Sequence, residues 1–260
     1  MTPPQPFHIV DKSPWPLTGS IASFTFMVGM IDLMHFNNKN MLLISLPIVI
    51  LTMTQWWRDI SREASFQGNH TMIVSINMKW GMALFIISEV FFFISFFWAF
   101  FHSSLSPNIE IGAQWPPSSI SPFNPFSIPL LNTTILLSSG ISVTWSHHSI
   151  ILKKFYEVKK SLIITIMLGV LFTSLQVWEY HQASFSISDS TFGSTFFMST
   201  GFHGLHVIIG SSFLFISFTR LLLSHFSNKH HFGFEAAIWY WHFVDVVWLF
   251  LYTFVYWWIS

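Results

Sequence analysis

Seven apolar runs divide this chain: residues 16 to 34, 41 to 57, 80 to 102, 128 to 146, 161 to 180, 192 to 222 and 234 to 257. Crossing a hydrocarbon core takes roughly 20 predominantly apolar residues, so the pattern predicts an all-α membrane protein with seven transmembrane helices. Turn and charge signals separate the runs: His35 to Asn40, Arg58 to Asn69, Pro107 to Pro129, Lys153 to Lys160, Ser184 to Ser190 and Ser224 to Gly233. The polar stretch from Arg58 to Lys79 leaves two readings open, helices that continue past the bilayer or a structured loop. Nearly every helix face is apolar, so the period of the pattern does not tell which face is buried.

Charge then orients the helices. With seven crossings, Lys12, Arg58, Arg62, Lys79, Lys153, Lys154, Lys159, Lys160, Arg220 and Lys229 fall on the N-terminal side, and only Lys39 on the other. A ten-to-one Lys/Arg bias predicts an inside-facing N-terminus. Composition supports the membrane reading, with 19% aromatic and only 8% charged residues, more apolar surface than a soluble domain buries. Zero net charge argues against a nucleic-acid binder. Absence of cysteine excludes disulfides and thiolate metal sites. Pro3, Pro4, Pro6, Asp11 and Pro14 before the first run resemble neither a secretory signal nor an Arg-rich transit peptide, so the chain is expected to insert as translated.

Ionisable residues inside the runs are the functional candidates, because charge at bilayer depth is costly unless it faces the protein. These are Glu89, His203 and His206, and His242 with Asp245. His242 and Asp245 stand three apart and share a helix face. Glu89 serves either as a strut between helices or as a proton relay. His203 or His206 facing His242 would suit bis-histidine haem ligation; hydrogen-bonded histidines within a bundle are the plainer reading. A di-iron site would need repeated Glu-x-x-His pairs, and none occurs. His147-His148 and His230-His231 lie at helix ends, where adjacent side chains diverge, and read as interfacial or lipid-facing.

A second group is Gln55-Trp56-Trp57-Arg58-Asp59 with Arg62, Glu63 and His70. Tryptophans at headgroup depth beside forked arginine donors suit a phospholipid headgroup. An ordinary aromatic belt with solvated charges fits the pattern equally well. Arg220 and His225 form a weaker site of the same kind.

These residues lie in motifs that run nearly end to end: Ser13-Pro14-Trp15-Pro16-Leu17-Thr18-Gly19, Phe66-Gln67-Gly68, residues 85 to 90, Phe97-Trp98-Ala99-Phe100-Phe101-His102, Trp115-Pro116-Pro117, Pro129-Leu130-Leu131-Asn132-Thr133, and residues 200 to 210, 230 to 236 and 239 to 252. In them the chain closely resembles the mitochondrial-type cytochrome c oxidase subunit III family. The resemblance implies that helices one and two (1–71) are separated by a lipid-filled cleft from a bundle of helices three to seven (72–260). It implies a core subunit of the terminal oxidase, which passes electrons from cytochrome c to O2 with proton pumping. The subunit would hold no haem or copper of its own, with haem a and copper in partner subunits. It would stabilise catalytic subunit I, bind phospholipids and assist oxygen or proton delivery, while cytochrome c binds mainly elsewhere.

By position, Glu89 matches the family's buried carboxylate, Trp57, Arg62, Glu63 and His70 its inner-face lipid site, and Arg220 an anionic-lipid contact. Asn69 departs from a common histidine, which puts one lipid contact in doubt. Trp178, His181 and Gln182 also depart, near an outer loop. The implied setting is the mitochondrial inner membrane, with the N-terminus in the matrix and the C-terminus in the intermembrane space. From another class, an independent proton-conducting transporter would use the same Glu, His and Asp residues, but the inverted repeats and broken helix pairs of such folds are missing.

Overall fold

A computed structural model describes residues 5–109 and 112–259; Pro3 and Pro4 lie outside the described residues. Its helices are α1 (Trp15–Phe36), α2 (Asn40–Ser65), α3 (Met72–Leu105), α4 (Ile128–Ile151), α5 (Phe155–His181), α6 (Ser190–Leu222) and α7 (Phe232–Leu251). No strand occurs among the described residues. All seven helices are long and apolar enough to cross a membrane, counting α7 with the turn that follows it. The chain groups into two compact units, Met1–Met78 and Lys79–Ser260.

Several helix ends differ from the apolar runs. Arg58 to Ser65 continue α2, so the helix runs on where the hydropathy stops. Lys159 and Lys160 belong to the first turns of α5 rather than to a loop. Lys160 reaches back so that its Nζ lies 5.9 Å from the Trp145 ring centroid, an apolar stem with its charge at the helix end. The last run is α-helical only to Leu251, and Tyr252–Trp257 is a π-helical turn.

In the first unit, α1 and α2 pack as a hairpin on a seam of small side chains. The buried residues are Ala22 and Gly29 on α1 and Ser45 and Thr52 on α2, each pair seven apart. That spacing keeps one narrow face toward the partner helix, and small residues let membrane helices approach closely. Asn37 takes the left-handed conformation at φ 53°, and its N–H closes the end of α1 on the Leu33 carbonyl at 3.1 Å. Asparagine is among the few residues that tolerate this. At the opposite end, the Trp15 indole N–H donates to Asp59 Oδ2 at 2.7 Å.

The second unit is built around α7. Trp241 and Trp248, one heptad apart, are fully buried, and each donates its indole N–H to a hydroxyl of α4. Trp241 bonds Ser139 Oγ at 2.9 Å and Trp248 bonds Thr133 Oγ1 at 3.0 Å. Space for Trp241 comes from two glycines: a Cβ on Gly169 of α5 would stand 2.7 Å from its ring, and one on Gly210 of α6 2.9 Å. Helices α4 and α5 are joined by Ser142 and Thr165 hydroxyls 2.8 Å apart. Helices α5 and α6 are joined by Gln176 Nε2 donating to the Thr200 carbonyl at 3.0 Å. Aromatic edges seat α3 on α6 and α7, as in Phe92 against Phe202 (5.0 Å) and Phe93 against Phe243 (6.0 Å).

Replacing a helical glycine by alanine ordinarily gains about 1 kcal/mol. At Gly29 the new Cβ would lie 2.8 Å from the Leu42 backbone nitrogen, and overpacking costs about 1–3 kcal/mol. Gly29→Ala should therefore lower the thermal unfolding midpoint of the assembled complex. Gly81→Ala, where nothing lies within 4 Å, should leave the midpoint unchanged or raise it.

Candidate functional site

The segment Gly201-Phe202-His203-Gly204-Leu205-His206 lies in mid-α6 and sends its two histidines to different neighbours. His203 faces α7: its Nε2 is 3.1 Å from the Val244 carbonyl, and the residue is fully buried. A carbonyl only accepts, so Nε2 carries the hydrogen and Nδ1 is left bare. Nδ1 has no hydrogen-bond partner in the chain, and the ring is flanked by Phe172 at 5.6 Å and Trp248 at 5.1 Å.

His206 faces α3. Its Nε2 is 2.9 Å from Glu89 Oε2, and its Nδ1 is 2.6 Å from the Phe202 carbonyl one turn back. Since Nδ1 must donate to that carbonyl, a single proton lies between Nε2 and Oε2. Whichever atom holds it, the pair has zero net charge, the arrangement that apolar surroundings tolerate. Rings of Phe93 (5.0 Å), Phe92 (6.2 Å) and Tyr240 (6.1 Å) enclose the imidazole.

His242 and Asp245 lie together on α7, with Nδ1 and Oδ2 3.7 Å apart. Gly140 of α4 makes room for them, because a Cβ there would be 2.8 Å from Asp245 Oδ2. Asp245 Oδ1 has no partner in the chain. Among His203, His206 and His242 there is no facing pair of free imidazole nitrogens for an axial haem arrangement. His206 engages both of its nitrogens, and His203 keeps its free one inside the aromatic rings.

One buried carboxyl escaped the sequence reading. Glu179 of α5 is fully buried, accepts a long hydrogen bond of 3.4 Å from the Tyr256 hydroxyl at Oε2, and has no partner at Oε1. Gln176 and Tyr180 flank it, the latter with its hydroxyl 2.7 Å from Thr200 Oγ1. The spacing of Gln176, Glu179 and Tyr180 at i, i+3 and i+4 marks a polar stripe on an apolar helix, and that signal was available.

In the first unit Asp59 and Glu63 of α2 turn toward protein partners. Asp59 accepts from Trp15 and from Arg58 (3.2 Å) and lies 3.8 Å from Arg62. Glu63 is 3.6 Å from His8, whose ring lies edge-on to His70 at 6.4 Å. The Trp57 ring and the Arg62 guanidinium remain largely exposed. In the second unit, the Arg220 guanidinium lies 4.6 Å over the Phe226 ring. The backbone N–H of His225 donates to the Arg220 carbonyl at 3.0 Å. Partial desolvation, and then the Arg220 charge, hold the His225 imidazole pKa below its ordinary value.

At the end of the second unit where α4 finishes and α7 begins, His147, His231 and Glu235 come together across the two helices, with ligand atoms all within 4.8 Å of one another. The lipid-facing reading does not hold for His231, which is only 5% exposed. Adjacency along the chain says little about this cluster, because its members meet across helices.

The chain matches the family model for cytochrome c oxidase subunit III over residues 5–260. It is similar to cytochrome c oxidase subunit 3 of Rhipicephalus sanguineus, 64% identical over 97% of this chain and 98% of the relative. The corresponding protein of Aedes aegypti is 61% identical over 97% of each chain. That of Patiria pectinifera is 58% identical over the full length of both.

If Glu89 and His206 act as a neutral interhelical pair, Glu89→Gln keeps a donor for Nε2 and should leave the thermal midpoint of the purified complex nearly unchanged. Glu89→Leu strands that nitrogen and should cost about 1–3 kcal/mol. Pairing Glu89→Leu with His206→Leu should recover much of the loss, a coupling read directly from a double-mutant cycle.

Proposed function

Because this chain belongs to the cytochrome c oxidase subunit III family, we propose that it supports the oxidase mechanically and through bound lipid, while the redox chemistry runs on haem a and copper in partner subunits. It is a multi-pass membrane subunit of cytochrome c oxidase, and other oxidase subunits are its partners. In this reading it braces catalytic subunit I in the mitochondrial inner membrane, with its N-terminus in the matrix. The one-sided distribution of Lys and Arg supports that orientation.

The observation that carries the supporting role is the closed end of the Glu89–His206 pair. A relay through His206 would have to pass its proton on from Nδ1, and that hydrogen is held by the Phe202 carbonyl of the same helix. A backbone carbonyl cannot hand a proton onward, so the pair ends where it begins. Its geometry suits a strut between α3 and α6 at membrane depth.

The exposed Trp57 ring beside the exposed Arg62 guanidinium supports a phospholipid headgroup site at one end of α2, with an amphipathic ring at the interface and a forked donor for phosphate. In the second unit, Arg220 is the weaker anionic-lipid candidate. Native mass spectrometry or lipid extraction of the purified oxidase tests the first site. Trp57→Ala combined with Arg62→Ala should remove at least one tightly held phospholipid per complex while the complex stays assembled. An unchanged lipid count would refute the site.

A further inference from the structure

We propose that His147, His231 and Glu235 form a zinc-binding site that clamps the end of α4 to the start of α7. The lone pair of His231 Nε2 carries the argument. Its other ring nitrogen, Nδ1, lies 3.0 Å from the Ser227 carbonyl and must donate to it. The loop supplying that carbonyl is itself fixed, by Ser227 N–H to the His230 carbonyl (3.2 Å) and His230 N–H to Ser227 Oγ (2.9 Å). Nε2 is then the bare nitrogen. It is buried, has no hydrogen-bond partner, and stands 3.4 Å from Glu235 Oε1.

A lone pair facing a carboxylate oxygen is repulsive unless a proton or a cation lies between them. An imidazole whose outer nitrogen is held by a backbone carbonyl, with the inner one aimed at a carboxylate, is the usual posture of a metal-ligating histidine. His147 supplies the third donor, its ring centroid 5.8 Å from that of His231. His231 and Glu235 are one helical turn apart at the start of α7, so both project to the same side.

Two imidazoles and one carboxylate are a donor set suited to zinc, with water as the fourth ligand. Zinc bonds of about 2.0–2.2 Å place tetrahedral ligands about 3.4 Å apart. The three donors, within 4.8 Å of one another, must therefore draw in by roughly an ångström. The opposing group is Lys79, whose Nζ is 2.9 Å from Glu235 Oε2. Its side chain is 45% exposed, so the ammonium can swing to water when a dication takes the carboxylate. The cluster thus has two arrangements: an ion pair between Lys79 and Glu235 without zinc, and an α4–α7 clamp with it.

The test uses the purified oxidase containing this chain, treated with chelator and then dialysed against zinc alone, with data collected at the zinc edge. The expected result is an anomalous peak bonded to His147, His231 and Glu235, with Lys79 turned away. Lys79→Met leaves all three ligands in place and removes the competitor. It should tighten zinc binding by roughly two- to fivefold, the range of an exposed ion pair, whereas His231→Ala should lower the bound stoichiometry by one. No peak at saturating zinc, with the Lys79–Glu235 pair intact, would overturn the proposal and leave a protonated His231 bridging to Glu235. A peak elsewhere only, or a stoichiometry unchanged by His231→Ala, would also overturn it.

Discussion

The hydrocarbon core offers no water, so every polar group that enters it must find its partner within the protein. In the second unit that requirement makes α7 the hub. Trp241 and Trp248 each need an acceptor for the indole N–H, and α4 supplies Ser139 and Thr133. Those bonds fix the level of α7 against α4, and glycines 169 and 210 let the Trp241 ring fit between α5 and α6. His203 reads the same helix from the other side through the Val244 carbonyl. Apolar contact alone gives little preference between helix levels when lipid is as apolar as the protein. Directional bonds to particular oxygens supply the preference.

The two units meet the constraint differently. The α1–α2 hairpin has few polar groups at depth, and its Ser and Thr hydroxyls bond back to their own helix, as Thr52 does to the Ile48 carbonyl at 2.9 Å. It packs on small residues and leaves most of its large apolar side chains exposed. The larger unit carries carboxyls and imidazoles, and it places them between helices. Glu89 with His206 is neutral as a pair, so α3 gains a directional tie to α6 without placing net charge in lipid. Glu179 and Asp245 each keep one oxygen unpaired within the chain.

Hydropathy was enough to count the helices, because a span needs length and low polarity and little else. It did not set the ends: Arg58 to Ser65 continue α2, one of the two readings the polar stretch left open, because backbone hydrogen bonding continues after the side chains turn polar. The ionisable candidates were legible one by one, since charge stands out in an apolar run. Their partners were not. His206 meets Glu89 117 residues away, and uniform apolarity removes the periodic signal that would have oriented the helices. Glu179 was missed although its polar stripe with Gln176 and Tyr180 is local. The cluster of His147, His231 and Glu235 was hidden because attention to neighbouring histidines says nothing about residues from facing helix ends. The family motifs identified the chain as a whole; side-chain geometry brought Glu89 and His206 together.

The central proposal is that the Glu89–His206 pair ties α3 to α6 and passes no proton onward. The most direct measurement is the rate of proton uptake and of electron transfer in a single turnover of the purified oxidase, with Glu89→Gln set against the native chain. The account predicts the same rates in both, because the carboxamide preserves the bond to His206 and no proton travels beyond it. A severalfold slower proton uptake in a fully assembled Glu89→Gln complex would contradict it and make Glu89 part of the path.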